Sequence, residues 1–325
     1  MSSAATFRQG IYQFQWARNL ARWLDALPNV SLALEVSPNR VAAARWSRTG
    51  SLDGYAVESL PPGALVPSAV EINIANSPAV KAAVAAACGR LRARDEDVAM
   101  ILPDTVIRVF VQHFEEFPRS AEEAVPMLRW KLKKSVPFEA DETLISYMRQ
   151  AAREAGVDVV TALARLRIVR EYESLVEGIG LLPGVVLSSS LAALSLLDDE
   201  KPTLLARVSG SSLTTAIVRR DVLCGYRCTE LPAHGPNLTP QMLLEEIFPV
   251  AAYYQDTWNE TIKSVRLAGL GSRLPEFIKP LEEEFRCDVR SLLSSAISEG
   301  LVKEDARALA DRDLEGLIGW MLQRG

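Results

Sequence analysis

Apolar and polar residues alternate along three short runs near the start of the chain, around 32–37, 40–47 and 54–60. Alternation with a period of two is typical of β-strands, because successive side chains point to opposite faces of a sheet. A Ser-Pro-Asn turn separates the first two runs, and the stretch "RTGSLDG" separates the second from the third. The pattern therefore predicts a meander of three strands, and its opening stretch, "ALEVSPNRVAAAR", has the shape of a β-hairpin.

The same pattern returns from residue 203, in "TLLARVSGSSLTTAIVRRDVLCGYRC". Helical patterns follow each copy, beginning with an Ala-rich helix from Ala79 to about Arg94 after the first. The second copy leads to an apolar strand, a Gly-Leu-Gly turn and a helix opened by Pro275. A closing helix from Asp313 to Leu322 is expected to complete the second lobe. A meander used twice predicts an α/β protein of two similar lobes that face a cleft.

A further segment of strands and helices lies between the two copies of the meander. The stretch "DVAMILPDTVIRVFVQHF" predicts a hairpin with Pro103-Asp104 at its turn. A helix to Pro137 follows, opened by a capping box of Ser120 with Glu123. Pro126 lies inside this helix and is expected to kink or delay it. The remaining elements are strands near 143–150 and 157–164, a helix from about Arg167 to Gly178, a strand over 184–188 and a helix over 189–197.

The first 30 residues predict an amphipathic helix, in the stretch "FRQGIYQFQWARNLARWLDALPNV". Apolar side chains recur three or four residues apart along one face, which consists of Tyr12, Trp16, Leu20, Trp23 and Leu27. Arginines lie off this face, and aromatic residues on one side with arginines on the other suit a bilayer surface or a partner groove. The alternative is a helix that packs on its own domain, since one amphipathic stripe is ordinary in a soluble protein.

Composition narrows the class of protein. The chain has 325 residues, of which 48% are apolar and 24% charged, the balance of a soluble globular protein of roughly two domains. Its net charge of −5 argues against nucleic-acid binding.

No apolar run reaches the ~18–20 residues that a membrane-spanning helix needs. The four cysteines and two histidines form no metal motif, so no metal is expected. Free thiols without a secretory signal indicate the cytosol.

With its elements in this order, the sequence resembles the actin-like ATPases. Within them it is most similar to the PilM-like proteins of type IV pilus assembly, and more distantly to FtsA. The most specific segment is 118–186. There "LRWKLKKSVPFEADETLISY" matches the family's helix that ends in a basic turn, followed by a Pro-Phe, an acidic spacer and a strand. The stretch "ALARLRIVREYESLVEGIGLLPGVVLSSSLAAL" matches the family's next strand, an Ala-Arg junction, a long helix, a Gly-Leu-x-Pro and the helix after it. The resemblance covers about 31–322 and implies an actin-like, ribonuclease H-like fold of two lobes.

The resemblance divides the chain into five parts. They are an N-terminal amphipathic extension (1–30), the first part of the first lobe (31–97), an inserted α+β subdomain with a partner groove (98–182), a return to the first lobe (183–202) and a shortened second lobe (203–325). The second lobe is expected to be short because the stretch from "TELPAHGPNLTP" runs almost directly to the late strand. The family carries a helical subdomain there, which forms one wall of its ATP cleft.

The resemblance also implies where a nucleotide would bind. The matching positions are Glu35, Ser37 and Asn39 in the first turn, Ser209, Gly210 and Ser211 in the second, and Gly269 and Gly271 in the late turn. Two departures oppose binding. Pro38 has no backbone N–H to offer a phosphate, and Arg207 replaces the second of the two acids that hold Mg²⁺ through water. We therefore expect a pseudo-ATPase with no catalytic residue and no cofactor. The alternatives are that Mg-ATP still binds and that Arg207 itself contacts a phosphate.

The densest cationic cluster is expected to dock a partner. In PilM-like proteins, the cleft between the inserted subdomain and the first lobe takes the N-terminal tail of a membrane-spanning partner, PilN. The candidate contacts here are Trp130, Lys131, Lys134, Pro137 and Phe138. An extended peptide in such a groove gains affinity from main-chain hydrogen bonds and a few apolar anchors. The alternative is a solvated helix face with Trp130 and Phe138 in the core.

Three functions follow from the resemblance. The first is a non-catalytic scaffold at the cytoplasmic face of the bacterial inner membrane, which binds a PilN-like tail, other pilus platform proteins and further copies of itself. The second is a switch of the PilM type, whose ATP state controls partner binding. The third is a GspL-like domain of a type II secretion platform.

Ser188, Ser189 and Ser190 lie at a strand-to-helix junction, so we expect them to cap the helix rather than act as nucleophiles.

Overall fold

The computed structural model describes residues 30–47, 50–138, 142–152, 155–197, 200–220 and 222–324. The predicted N-terminal helix, with Tyr12, Trp16, Leu20 and Trp23, lies outside these ranges. Two five-stranded sheets of the same topology form the framework of the protein. They confirm the predicted α/β fold of two similar lobes.

The first sheet contains β1 (Leu32–Ser37), β2 (Arg40–Trp46), β3 (Leu52–Ser59), β4 (Asp97–Leu102) and β8 (Leu182–Ser188). Its spatial order is β3-β2-β1-β4-β8. β1, β2 and β3 form the predicted antiparallel meander, whereas β1, β4 and β8 run parallel. The central strand β1 is buried almost throughout, as is typical of a strand covered on both faces of a sheet.

The second sheet repeats this plan with β9 (Thr203–Ser209), β10 (Ser212–Arg219), β11 (Val222–Glu230), β12 (Ser264–Ala268) and β13 (Asp288–Ser291). Its order is β11-β10-β9-β12-β13, again with an antiparallel meander followed by parallel strands. Each strand therefore has a counterpart in the first sheet, so the repeat in the sequence is a repeat of the fold.

A third, antiparallel sheet has the order β5-β7-β6 and contains β5 (Arg108–Phe114), β6 (Thr143–Ala151) and β7 (Val157–Arg165). The predicted hairpin over 97–114 is wrong, because its two strands belong to different sheets. β4 pairs with β1 and β8 and is almost fully buried, and a 3₁₀ turn at Asp104–Val106 redirects the chain into β5. β4 is thus a central strand of the first sheet, although it lies within the range expected for the inserted subdomain. The division into domains otherwise stays a prediction.

The helices cover these sheets. They are α1 (Ser77–Arg90), α2 (Ala121–Leu132), α3 (Leu166–Glu177), α4 (Ser189–Ala193), α5 (Pro240–Trp258), α6 (Leu274–Phe285), α7 (Leu292–Ser298), α8 (Arg307–Ala310) and α9 (Glu315–Arg324). α2 begins at its predicted cap, where the Glu123 amide donates to Ser120 Oγ at 3.3 Å, so Pro126 does not delay it. In the described part of the chain, no helix combines the length and apolarity needed to cross a bilayer.

The closing helix α9 packs on the first lobe, so its predicted packing in the second lobe is wrong. It lies against α4 and β1, and its buried apolar residues Leu317, Ile318, Trp320 and Met321 belong to the same hydrophobic core as β1, β2 and β4. The close approach depends on Gly319, because a Cβ there would lie 2.1 Å from the carbonyl oxygen of Ala192 in α4. This return of the chain brings the start of α9 to the cleft between the lobes.

Candidate functional site

The first strands of the two lobes end at the same cleft, and each presents a buried charge there. Glu35 lies near the end of β1 and is 4% exposed. Arg207 lies near the end of β9 and is 6% exposed. The carboxyl ends of parallel strands are where open α/β sheets place their ligands. The cleft is therefore the candidate functional site.

Arg207 extends from the second lobe into a group of three carboxylates of the first lobe. Its Nη1 lies 3.4 Å from Asp104 Oδ2, and its Nη2 lies 3.5 Å from Glu35 Oε1 and 3.8 Å from Glu315 Oε2. All four residues are buried. We call these residues the Arg207 cluster. Its one guanidinium bridges the two lobes by ion pairs.

Hydrogen bonds fix the carboxylate of Asp104. The backbone amide of Ser190 donates to Oδ1 at 2.8 Å, and the Ser190 hydroxyl donates to Oδ2 at 2.5 Å. From the second lobe, the hydroxyls of Thr214 and Tyr226 donate at 3.0 and 3.3 Å. Asp104 therefore joins the lobes through neutral donors as well as through Arg207.

The neighbouring serines divide their roles. Ser188 caps α4, as predicted, since its Oγ accepts from the Leu191 amide at 3.3 Å. Ser189 instead donates to Glu35 Oε1 at 2.7 Å, and Ser190 donates to Asp104. The expectation that all three serines are caps is therefore correct only for Ser188, because the sequence did not reveal that this helix start faces two buried acids.

Burial and neighbouring charges act in opposite directions on the pKa of the Arg207 guanidinium. Burial alone would lower the pKa of its guanidinium, but the charges of Glu315, Asp104 and Glu35 raise it, and the net pKa lies above its ordinary value. For Glu315, burial raises the pKa of the carboxyl although Arg207 opposes this. The cluster thus holds a permanent cation and one carboxyl that retains its proton to higher pH than usual.

Replacing Glu315 with glutamine should stabilise the protein at neutral and alkaline pH. Because the folded-state pKa of Glu315 is raised, its protonation favours the folded state. That contribution is complete below the ordinary carboxyl pKa and is lost as pH rises through the folded value. Glutamine imitates the protonated form at every pH. The advantage of Glu315→Gln in urea unfolding should therefore be present at pH 8 and shrink toward pH 4.

The exposed Glu283 supplies the control, because Glu283→Gln alters a carboxylate that is 69% exposed. Its unfolding free energy should follow that of the wild type over the same pH range. A Glu315→Gln protein less stable than wild type at pH 8 would contradict the assignment.

The two turns that would hold phosphates lie against each other. A Cβ built on Gly210 would lie 4.0 Å from Pro38 Cγ, which is ordinary van der Waals contact. The Ser37 hydroxyl bonds within its own turn, to Asn39 Oδ1 and to the Arg40 carbonyl oxygen, both at 3.0 Å. Gly210 has φ of +59°, which serves the tight turn between β9 and β10; Ser209 and Ser211 flank it.

The late turn keeps its glycines for different reasons. Gly269 has φ of +76°, and a Cβ there would lie 1.8 Å from the Val208 carbonyl oxygen of β9. Gly271 has φ of +53°, but a Cβ there would meet nothing within 4 Å. Close backbone packing therefore accounts for Gly269 without any ligand.

The residues present do not fit a Mg²⁺–nucleotide complex. Magnesium needs oxygen ligands and retains several waters, whereas the carboxylates at this position face a fixed guanidinium at 3.4–3.8 Å. Pro38 occupies the approach to the second turn. Among the described residues, no group of three or more His, Cys, Asp and Glu side chains is arranged to hold a metal ion.

The five predicted partner residues lie in three kinds of environment, namely the exposed surface, the core and the lining of a cavity. Trp130 is 80% exposed and Phe138 is buried. The ammonium of Lys131 lies 3.8 Å from the centre of the Phe114 ring, and Lys134 is exposed. Pro137 lines a cavity. The structure thus does not bring these five side chains together in one groove.

The cavity has a volume of about 360 Å³ and opens where the third sheet meets β11. Arg108 and Phe110 of β5, Pro137, and Tyr226 and Arg227 of β11 contribute to its lining. β5 and β11 are both edge strands of their sheets. Edge strands carry backbone groups that are free to pair with an extended peptide.

Sequence reasoning missed Asp104 and Glu315. Asp104 directly follows Pro103 at the end of a buried strand, but the residue was interpreted as part of a hairpin turn. Glu315 opens α9, which was expected to pack in the second lobe. A signal for Asp104 was available, since polar residues that follow buried parallel strands meet at one sheet edge.

No family model matches the sequence, and no curated protein matches it. Among solved structures, the chain is similar to a chain of the PilM-PilN type IV pilus biogenesis complex, with a TM-score of 0.71 and 17% sequence identity. The alignment covers 91% of this chain and 99% of that chain. The fold is PilM-like. This confirms, for the fold, the resemblance found in the sequence.

Two further structures are less similar to this chain, each with a TM-score of 0.47 and 11% identity. One is a Bacteroides thetaiotaomicron protein with an actin-like ATPase fold and unknown function, aligned over 86% of this chain and 94% of that one. The other is the cytoplasmic domain of EpsL, an inner membrane component of the type II secretion system of Vibrio cholerae, aligned over 84% and 95%.

Proposed function

We propose that this chain is a non-catalytic scaffold of a type IV pilus or related secretion platform, at the cytoplasmic face of the inner membrane. It binds the N-terminal tail of a PilN-like membrane protein. The observation that carries the proposal is Arg207, whose guanidinium lies among three carboxylates where a nucleotide-bound cation would be expected. The PilM-like fold supports the choice of platform.

The Arg207 guanidinium supplies what the Mg²⁺ of a bound nucleotide would supply in an actin-like protein, namely a positive charge shared by both lobes. A guanidinium is permanently charged and cannot dissociate from the protein. The lobes are therefore held together without a ligand, and the protein presents one arrangement of its surfaces to partners. In a nucleotide switch, by contrast, the cation at the position of the Arg207 guanidinium would have to bind and dissociate together with the nucleotide.

The cavity beside Pro137 is the docking site that we assign to the tail. It lies beside β5, an edge strand of the third sheet, and an extended peptide can add to an edge strand through its main chain. Arg108 forms no ion pair with any described residue, and Arg227 has only a distant one, 3.9 Å from Glu246. Both guanidiniums are available to acidic groups of a tail.

Thermal and urea unfolding with two ligands test the proposal. Mg-ATP at millimolar concentration should leave the free energy of unfolding unchanged. A ligand present at 100 times its dissociation constant would raise it by about 2.7 kcal/mol. A synthetic peptide with the N-terminal sequence of the PilN-like protein from the same organism should raise it.

Variants separate docking from general charge effects. Arg108→Glu should weaken binding of the tail about tenfold, a loss of roughly 1.4 kcal/mol, whereas Arg290→Glu on the remote β13 should not. Stabilisation by Mg-ATP would favour the switch over the scaffold. A tail peptide that neither binds nor stabilises would remove the docking site.

A further inference from the structure

The carboxyl end of α2 exposes an aromatic side chain among lysines. Trp130 is 80% exposed, and no large apolar side chain in the described ranges is more exposed. Lys131, Lys133 and Lys134 follow it and are exposed as well. We call these four residues the Trp130 patch. A solvent-exposed indole of this extent is unusual, because aromatic side chains gain most from burial.

Packing of α2 explains why Trp130 faces outward. Leu128 and Leu132 are both buried, and Leu128 lies in a small core with Phe114, Phe117 and Val159 of the third sheet and its flanks. Trp130 lies two residues from each of them, on the opposite side of the helix. Arg129 is held at the edge of the helix, where its Nη2 donates to the Thr143 carbonyl oxygen at 3.3 Å. Trp130 thus extends into solvent and is not among the residues that line the cavity beside Pro137.

The lysines of the patch are free to meet an external anion. Lys133 and Lys134 form no ion pair with any residue that the structure describes, and the Lys131 ammonium lies 3.8 Å from the centre of the Phe114 ring. The acids of the same helix, Glu122 and Glu123, lie in its first turn, at the other end. The patch is locally cationic on a chain whose net charge is −5.

We propose that the Trp130 patch contacts the surface of an anionic phospholipid bilayer. The indole enters the headgroup region, where an amphipathic ring has both an apolar and a polar environment. The lysines lie at the level of the lipid phosphates and are attracted by the negative surface potential. This contact goes beyond the proposed scaffold function and does not depend on it.

A bilayer suits this patch better than a protein partner does. Protein interfaces are enriched in tryptophan and arginine but depleted in lysine. Three exposed lysines around one tryptophan therefore match a lipid surface, where lysines interact with phosphates without forming a fixed geometry.

Sedimentation of the full-length chain with vesicles tests the proposal. We expect binding to vesicles of equal parts phosphatidylglycerol and phosphatidylcholine, weak binding to phosphatidylcholine alone, and a decline with rising salt. Reversing the charge of both Lys133 and Lys134 to glutamate should weaken binding at least about tenfold, and Trp130→Ala should weaken it about fivefold. Tryptophan fluorescence should shift to the blue with vesicles in the wild type and less in Trp130→Ala.

Matched variants control for charge and for exposed aromatic area. Lys81 and Lys201 are exposed lysines elsewhere, and their joint change to glutamate should leave vesicle binding unchanged. Tyr253, which is 68% exposed on α5, serves as the aromatic control in Tyr253→Ala. Residues 1–29 are present in every protein, so any affinity that they add is common to all.

Two results would overturn the proposal. One is equal vesicle binding by the wild type and the patch variants, including no binding by any of them. The other is a Trp130→Ala protein that keeps its vesicle binding but loses affinity for the PilN-like tail peptide, which would make Trp130 a protein contact. Failure of the tail peptide alone would affect the scaffold proposal and leave the bilayer contact intact.

Discussion

Replacing Arg207 with leucine should lower the free energy of unfolding by about 3–5 kcal/mol, the cost of removing one partner from a buried ion pair. The variant would leave Glu35, Asp104 and Glu315 buried without their shared cation. Burial already raises the pKa of the Glu315 carboxyl, and without Arg207 this carboxyl would take up a proton on folding more readily, so the deficit should shrink as pH falls toward 4. Urea unfolding at several pH values measures both effects.

An exposed ion pair provides the comparison for Arg207→Leu. Arg290, paired with Asp288, is 57% exposed, and exposed pairs contribute about 0–1 kcal/mol. Arg290→Leu should therefore cost little. Adding Glu35→Gln and Glu315→Gln to Arg207→Leu should recover part of the loss, because two of the three uncompensated charges are gone. A stability of Arg207→Leu equal to that of Arg290→Leu would show that the cluster does not hold the lobes together.

Replacing Gly269 with alanine should cost about 3 kcal/mol or more, because the new Cβ would lie 1.8 Å from the Val208 carbonyl oxygen. No such contact can exist, so β9 and the turn after β12 would have to separate. β9 and β12 are neighbours inside the second sheet, and their separation would disturb the position of Arg207 on β9. Thermal unfolding of the variant measures the loss.

Gly271, two residues later, is the matched control for Gly269. It also has a positive φ, but a Cβ there would meet nothing within 4 Å. Gly271→Ala should therefore cost only the strain of a left-handed residue, about 1–2 kcal/mol. Equal losses in the two variants would mean that the close packing on Val208 is not what requires glycine at 269.

Much of the architecture was predictable because strand periodicity is local. The alternation around β1, β2 and β3, and its return in β9, β10 and β11, predicted both meanders and the two similar lobes. The cap of α2 at Ser120 was predictable for the same reason, since the residues that form it are three apart. That Pro38 and Arg207 oppose a nucleotide is a prediction that combines their chemistry with the positions that the resemblance assigns to them.

Sheet membership was harder to predict. β4 and β5 are adjacent in the chain, and the Pro103-Asp104 turn signal between them predicts a hairpin. The choice between pairing with each other and pairing with other strands depends on distant segments, β1 and β8 for β4, and β7 for β5. Local patterns contain no information about those partners.

The sequence by itself determined the repeated strands and the helix start at Ser120, and it placed an arginine at position 207, where the resemblance predicts an acid. Only the tertiary structure decided what Arg207 does there. Its partners Glu35, Asp104 and Glu315 come from three distant segments, and Glu315 reaches the cleft only because α9 returns to the first lobe. Periodicity and capping depend on neighbouring residues, whereas a buried ion pair depends on distances that are fixed only when separate elements pack together.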